Sequence, residues 1–176
     1  YYGDEIGMRD VPVAPDQVQD PFEKNVPGLG LGRDPVQTPM QWSDAQWGGF
    51  TTGIPWLPLA DDFKTINVSN LRQEASSILN LYHRLIDLRR KEPALSVGDY
   101  AALPAGDDLI AYMRKSAERR FLIALNFAGQ SRNFNVGELQ ARTALLQIST
   151  YLDREHERVE NELLLRANEG VVVELV

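Results

Sequence analysis

The chain has 176 residues, of which 43% are hydrophobic and 24% are charged, with a net charge of −7. This ordinary composition argues against disorder, the absence of cysteine excludes disulfides and a thiol nucleophile, and no apolar run is long enough for a transmembrane helix. The negative charge argues against a nucleic acid or an anionic membrane as a partner, because both require a basic face.

Residues 1–58 contain most of the prolines and glycines and all three tryptophans, Trp42, Trp47 and Trp56. Proline removes backbone donors and glycine costs chain entropy, so long helices and a regular sheet are not expected here. The aromatic content argues against a flexible linker. We therefore expect an irregular, packed segment that covers a larger body.

The spacing of apolar residues predicts one helix over about residues 71–92. Apolar side chains recur every three to four positions from Leu71 to Ile86, which places them in one stripe on a helix. Asn70 is a suitable N-cap with Gln73 three residues later, and Pro93 ends the pattern. A helix with one apolar stripe needs a surface to pack against.

From residue 97 onward, short apolar runs separated by turn residues predict an antiparallel β-sandwich. The runs cover residues 109–113, 121–127, 133–136, 145–148, 163–165 and 171–173. The mixed-charge segment 153–158 is expected to be a solvated connection. The two histidines, His83 and His156, have no spacing typical of metal ligands, so no metal site and no cofactor are expected.

Four stretches resemble glycoside hydrolase family 13, the α-amylase family. YYGDEIGM at residues 1–8 is similar to the segment after the last barrel strand of these enzymes. RDPVQTPMQW at residues 33–42 resembles the RDP-x-RTPMQW motif of the α-glucosidase branch, and GFTTGIPWL at residues 49–57 resembles the block that follows it. LYHRLIDLRR at residues 81–90 is similar to the last barrel helix.

The resemblance implies an α+β segment, namely the end of a (β/α)8 barrel followed by an antiparallel β-sandwich called domain C. Residues 1–95 would form the last βα unit with a loop on the active-site side, and residues 96–176 would form domain C. The family's catalytic Asp, Glu and Asp belong to motifs that do not occur in this sequence. We therefore expect the C-terminal part of a retaining α-glucosidase, without catalytic residues and inactive by itself.

Two residues are expected to bind substrate by resemblance. Arg33 matches the first arginine of the motif, in a loop that lines the substrate pocket of family members. Gln37 stands where the family has its second arginine, and it can donate hydrogen bonds but not a charged fork. From the residues alone, a structural pair between Arg33 and a buried carboxylate is the alternative.

The expected partners are an α-glucosyl oligosaccharide and the N-terminal part of the barrel. Two alternatives remain open at this stage. One is a trehalose synthase or another sugar isomerase of the same family, although the long segment 9–32 is more typical of maltases and oligo-1,6-glucosidases. The other is a non-catalytic carbohydrate-binding or interaction module.

Overall fold

The computed structural model describes all residues from 1 to 176 and divides them into two compact units, Tyr1–Asn80 and Leu81–Val176. In the first unit, regular structure is limited to short pieces. They are the helices α1 (Pro21–Asn25) and α2 (Val68–Gln73), the first turn of α3 (Ile78–Lys91), and the 3-10 turns Asp4–Ile6, Asp34–Val36 and Gln46–Gly49. The expected irregular course of residues 1–58 is therefore confirmed.

The first unit is held together by a small apolar core to which distant parts of the chain contribute. Ile6 and Met40 come from the irregular segment, and Val68, Leu71 and Leu79 come from the helices. Burial of these apolar side chains stabilises the unit, in which the prolines prevent regular hydrogen-bond ladders.

The predicted continuous helix is wrong, because the chain breaks between α2 and α3. Asn67, rather than Asn70, caps α2, and its side chain accepts a hydrogen bond from the backbone N–H of Asn70. Ser77 then starts α3, since its hydroxyl oxygen accepts from the backbone N–H of Asn80 while its O–H donates to the carbonyl of Leu71. Short polar side chains that bond to nearby backbone groups compete with the helix and favour such a break.

The second unit comprises most of α3, the short α4 (Pro93–Ser96) and eight strands. The strands are β1 (Asp99–Leu103), β2 (Leu109–Lys115), β3 (Arg120–Asn126), β4 (Arg132–Asn135), β5 (Ala144–Ser149), β6 (Arg158–Val159), β7 (Glu162–Leu165) and β8 (Gly170–Leu175). Six of them form one sheet in the order β1-β2-β3-β8-β5-β6, and β4 pairs with β7 in a separate ribbon. Every pairing is antiparallel, as the sequence predicted.

The central strand β3 is buried on both faces, which explains its nearly continuous apolar sequence. On one face, Leu122 joins the main core together with Leu163 and Leu165 of the two-stranded ribbon. On the other face, Phe121 packs in a second cluster with Ala94 of α4. None of the helices in the chain is long and apolar enough to cross a membrane.

The expectation of a solvated connection at residues 153–158 is confirmed for most of the segment, because Asp153, His156, Glu157 and Arg158 are exposed, but Arg154 joins an ionic network around a buried carboxylate. The carboxylate of Glu169 is fully buried, and it pairs with Arg154 at 3.0 Å and with Arg166 at 2.6 Å. Arg166 also pairs with Asp153 at 2.7 Å. Burial alone would raise the pKa of Glu169, but hydrogen bonds from Arg166 and Ser149 outweigh it and leave that pKa lowered.

Candidate functional site

The two residues expected to bind substrate lie at the two ends of one tight turn. Arg33 precedes the 3-10 turn Asp34–Val36 and Gln37 follows it, with the backbone N–H of Gln37 donating to the carbonyl of Asp34 at 3.1 Å. Pro35 inside the turn has a fixed φ and suits this tight geometry. Both Arg33 and Gln37 are exposed, whereas Asp34 between them is buried. The local sequence therefore presents two polar side chains outward around a buried anchor.

Asp34 ties the turn to the segment that precedes α1. Its Oδ2 accepts hydrogen bonds from the backbone N–H groups of Gln19, at 2.5 Å, and of Asp20, at 2.8 Å. The backbone N–H of Val11 donates to the carbonyl of Pro35 at 3.0 Å, and this hydrogen bond also holds the turn in place. A buried carboxylate that accepts two backbone donors is a rigid connection, because leaving those donors unpaired would cost desolvation energy.

Asp20 completes the arrangement by binding Arg33. Its Oδ2 accepts from the backbone N–H of Arg33 at 3.1 Å and from the side-chain Nε at 2.8 Å. Its Oδ1 accepts from the backbone N–H of Phe22 at 2.8 Å, which caps α1. The side-chain hydrogen bond from Arg33, with the backbone bonds, lowers the pKa of Asp20 to about 2. Asp20 is therefore a carboxylate at neutral pH.

The pair between Arg33 and Asp20 is strongly asymmetric in exposure. The side chain of Asp20 is 3% exposed, whereas that of Arg33 is 68% exposed. The alternative drawn from the sequence was a structural pair between Arg33 and a buried carboxylate. That alternative is partly right, since the buried carboxylate of Asp20 binds Arg33. The guanidinium itself remains open to a ligand, because only its Nε is engaged.

The rest of the motif, residues 38–42, holds the turn onto the core of the first unit. The hydroxyl of Tyr2 donates to the carbonyl of Thr38 at 2.8 Å, and the fully buried amide of Gln41 donates to the carbonyl of Ile66. The backbone N–H of Trp42 donates to the carbonyl of Gly48 at 2.8 Å, while the indole stays about half exposed. These residues position the turn more than they offer groups to a ligand.

Two concave surfaces border the turn, with volumes of about 470 and 230 Å³. The larger is lined partly by Asp34 and Pro35, and the smaller partly by Val36 and Thr38. Neither is lined by Arg33 or Gln37, so these two residues form one open wall and not an enclosed pocket. No group of three acidic, histidine or cysteine side chains is placed to hold a metal ion.

The turn carries groups that can bind a ligand. The guanidinium of Arg33 and the amide of Gln37 can donate hydrogen bonds to hydroxyl or carboxylate oxygens. The turn presents no exposed pair of facing carboxylates. Asp20 is the residue of this site that sequence reasoning missed. The dipeptide Asp20-Pro21 carries an N-cap signal, but nothing in it indicates an arginine 13 positions later.

The comparisons with known proteins agree with the motif resemblance. The sequence model described as "Alpha amylase, catalytic domain" matches residues 1–98, which is more than half of the chain. The chain therefore belongs to the α-amylase family.

Several of the curated relatives are named as glucosidases. A glucan 1,6-alpha-glucosidase of Streptococcus pneumoniae is 33% identical over 84% of this chain and 30% of its own length. A probable oligo-1,6-glucosidase of Bacillus subtilis is 31% identical over 98% of this chain and 34% of its own length. The chain thus spans about a third of the length of the relatives it matches.

Solved structures with the same fold include a trehalulose synthase and a trehalose-6-phosphate hydrolase. The trehalulose synthase of Pseudomonas mesoacidophila matches with a TM-score of 0.82 and 26% identity over 99% of this chain and 34% of its own. A trehalose-6-phosphate hydrolase of Bacillus licheniformis matches with a TM-score of 0.81 and 25% identity, over 99% of this chain and 35% of its own. The match extends over both units of the chain.

Proposed function

We propose that this chain is the C-terminal part of a retaining α-glucosidase that hydrolyses α-glucosidic bonds in short oligosaccharides. Residues 1–95 would supply the last βα unit of a (β/α)8 barrel with its active-site loop, and residues 96–176 would be the β-sandwich domain C. The observation that carries the proposal is the family match over residues 1–98 together with relatives named as α-1,6-glucosidases. Coverage of only a third of those relatives is consistent with one part of a longer enzyme.

In this proposal, Arg33 and Gln37 bind the sugar. Both are exposed at the ends of a rigid turn, and their donors suit hydroxyl oxygens. Gln37 supplies a neutral amide in place of a second guanidinium, which predicts weaker binding at that point than in relatives that have arginine. The acid/base and nucleophile carboxylates would come from the preceding part of the enzyme.

The exposed face of α3 supports a further partner, the rest of the barrel. Tyr82, Leu85 and Ile86 lie on the stripe that the sequence predicted to be buried, yet each is more than a third exposed. An amphipathic helix is stabilised by covering such a stripe. The preceding barrel segment is the cover that the family fold implies.

The first test uses the 176-residue chain alone on maltose, isomaltose and an aryl α-glucoside. We expect no turnover, because a glycosidase needs two carboxylates that face each other across the scissile bond and this turn presents no such pair. Clear hydrolysis by the purified chain would contradict the proposal. A matched assay of a complete oligo-1,6-glucosidase under the same conditions controls for substrate quality.

The second test uses the whole reading frame that contains this sequence. We expect the family's Asp, Glu and Asp motifs upstream of Tyr1, and an expressed product that releases α-glucose with retained configuration, as observed by NMR. Absence of those motifs would leave a non-catalytic carbohydrate-binding or interaction module as the better account.

An isomerase is the second candidate, because the chain is similar in fold to a trehalulose synthase solved with the substrate sucrose, at a TM-score of 0.84. Product analysis separates the two reactions. A hydrolase converts maltose or isomaltose to glucose alone, whereas an isomerase leaves a new disaccharide in the mixture. A disaccharide as the main product would overturn the hydrolase proposal.

A further inference from the structure

We propose that Asp20 is a positioning residue that aims the guanidinium of Arg33 at the substrate. The inference rests on the proposed function and deepens it, since it assigns a role in sugar binding to a residue outside the motif at residues 33–42. Asp20 itself does not face the ligand, because its side chain is 3% exposed.

The geometry restricts the orientation of Arg33 at two points. The carboxylate of Asp20 accepts from both the backbone N–H and the Nε of Arg33, so the main chain and the side chain are held by one oxygen. A guanidinium is planar, and a hydrogen bond at Nε therefore restricts the positions that the two terminal Nη groups can take. These Nη groups make no hydrogen bond within the chain and remain free to donate to neighbouring sugar hydroxyls.

Asp20 is itself held by a network that does not depend on Arg33. Its Oδ1 accepts from the backbone N–H of Phe22, and its own backbone N–H donates to Asp34 at 2.8 Å. Because Asp34 also anchors the turn that carries Arg33, the carboxylate and the arginine are parts of one rigid frame. Such a frame lets a binding group keep its orientation before the ligand arrives, which lowers the entropic cost of binding.

A purely structural role explains this arrangement less well. An ion pair whose arginine is largely exposed contributes little to folding, because water and salt screen it. The capping bond to Phe22 needs only one oxygen of Asp20, and an asparagine would supply it as well. The second oxygen accepts both donors of Arg33, and its negative charge strengthens both hydrogen bonds.

The experiment compares Asp20→Asn, Arg33→Ala and the double variant in the enzyme expressed from the whole reading frame. Asparagine keeps one oxygen for capping but presents N–H donors toward the donors of Arg33. We expect Asp20→Asn to lower kcat/KM for maltose by about 10- to 100-fold, mainly through KM, since misorientation of a binding group costs this much. In the Arg33→Ala background, the same change should have almost no further effect. Asp16→Asn, an exposed aspartate of the same segment, is the matched control and should leave kcat/KM unchanged.

A second measurement does not depend on activity. In the wild-type 176-residue chain, the Nε–H of Arg33 should give an NMR signal that exchanges slowly with water, and Asp20→Asn should remove it. If that signal exchanges rapidly in the wild type, or if Asp20→Asn lowers kcat/KM equally with and without Arg33, the positioning role is overturned. An inactive wild-type enzyme would instead overturn the proposed function. In that case the NMR signal would still show whether Asp20 binds the Nε–H of Arg33. The NMR test of the wild type also stands if Asp20→Asn does not fold.

Discussion

Replacement of Glu169 by glutamine should strongly destabilise the second unit. The Oε1 of Glu169 accepts from the hydroxyl of Ser149 and from Nη2 of Arg166, both at 2.6 Å. Its Oε2 accepts from Nη1 of Arg154 at 3.0 Å and from the backbone N–H of Arg166 at 2.7 Å. Glutamine removes the charge and turns one of the two oxygens into an amide that points hydrogens at two donors.

The magnitude follows from burial. Removal of one partner from a buried ion pair costs about 3–5 kcal/mol, because the remaining charge stays desolvated. Here Arg154 is 14% and Arg166 is 35% exposed, so water can solvate part of the orphaned charge. We therefore expect the lower end, about 3 kcal/mol. With a urea dependence of about 1.5 kcal/mol per molar, the unfolding midpoint should fall by about 2 M.

Urea titration followed by far-UV circular dichroism measures this effect, because the second unit contains all the strands. The fluorescence of Trp42, Trp47 and Trp56, all in the first unit, is followed in parallel and shows whether the loss is local. Glu160→Gln makes the same chemical change at an exposed site and should leave the midpoint unchanged. A midpoint for Glu169→Gln that coincides with that of Glu160→Gln would refute the reasoning.

Three further predictions concern pH, packing and substrate affinity. The pKa of Glu169 is lowered from its ordinary value of 4.5 in the folded protein. The Glu169 carboxylate therefore stabilises the folded state above that pH, and this stabilisation is lost as the pH falls through the folded-state pKa. Acid titration of the circular dichroism signal should be less steep for Glu169→Gln than for the wild type. Gly98→Ala should lower the free energy of unfolding in urea by about 1–3 kcal/mol, because the new Cβ would lie too close to two backbone carbonyl oxygens. Gly106→Ala is its control, since no atom lies near the added Cβ there. Equal unfolding midpoints for the two variants would contradict the prediction. Gln37→Arg in the whole enzyme should lower KM for maltose about fivefold, because a charged hydrogen bond is about 1 kcal/mol stronger than a neutral one. An unchanged KM in steady-state kinetics would show that residue 37 does not contact the substrate.

Much of the second unit could be predicted from the sequence because its strands carry local signals. The apolar runs at residues 109–113 and 163–165 lie within β2 and β7, where turn residues mark their limits. Strand β1 was missed, since four of the five residues of Asp99–Leu103 are exposed and the strand has no alternation of buried and exposed residues. The two residues of β6 are too short for any periodic pattern.

The candidate site was only half predictable. The motif resemblance indicated Arg33 and Gln37, and proline in the turn limits the local backbone, so both positions follow from neighbouring residues. Asp20 could not be found in this way, since its contact with Arg33 spans 13 positions and depends on the path of the intervening loop. The contact of Arg154 with Glu169 was missed for the same reason, since it spans 15 positions.

The sequence by itself determined the family, the net negative charge, the irregular first segment and the antiparallel character of the second, because motifs, composition and short-range periodicity are local properties. The tertiary structure alone decided where the long helical pattern breaks at Ser77, which carboxylates become buried, and which side of Arg33 stays free. These features depend on which distant groups meet, and burial then changes the energy of each charge and hydrogen bond. A charged residue becomes an anchor or a ligand-binding group through this environment, which no single stretch of sequence specifies.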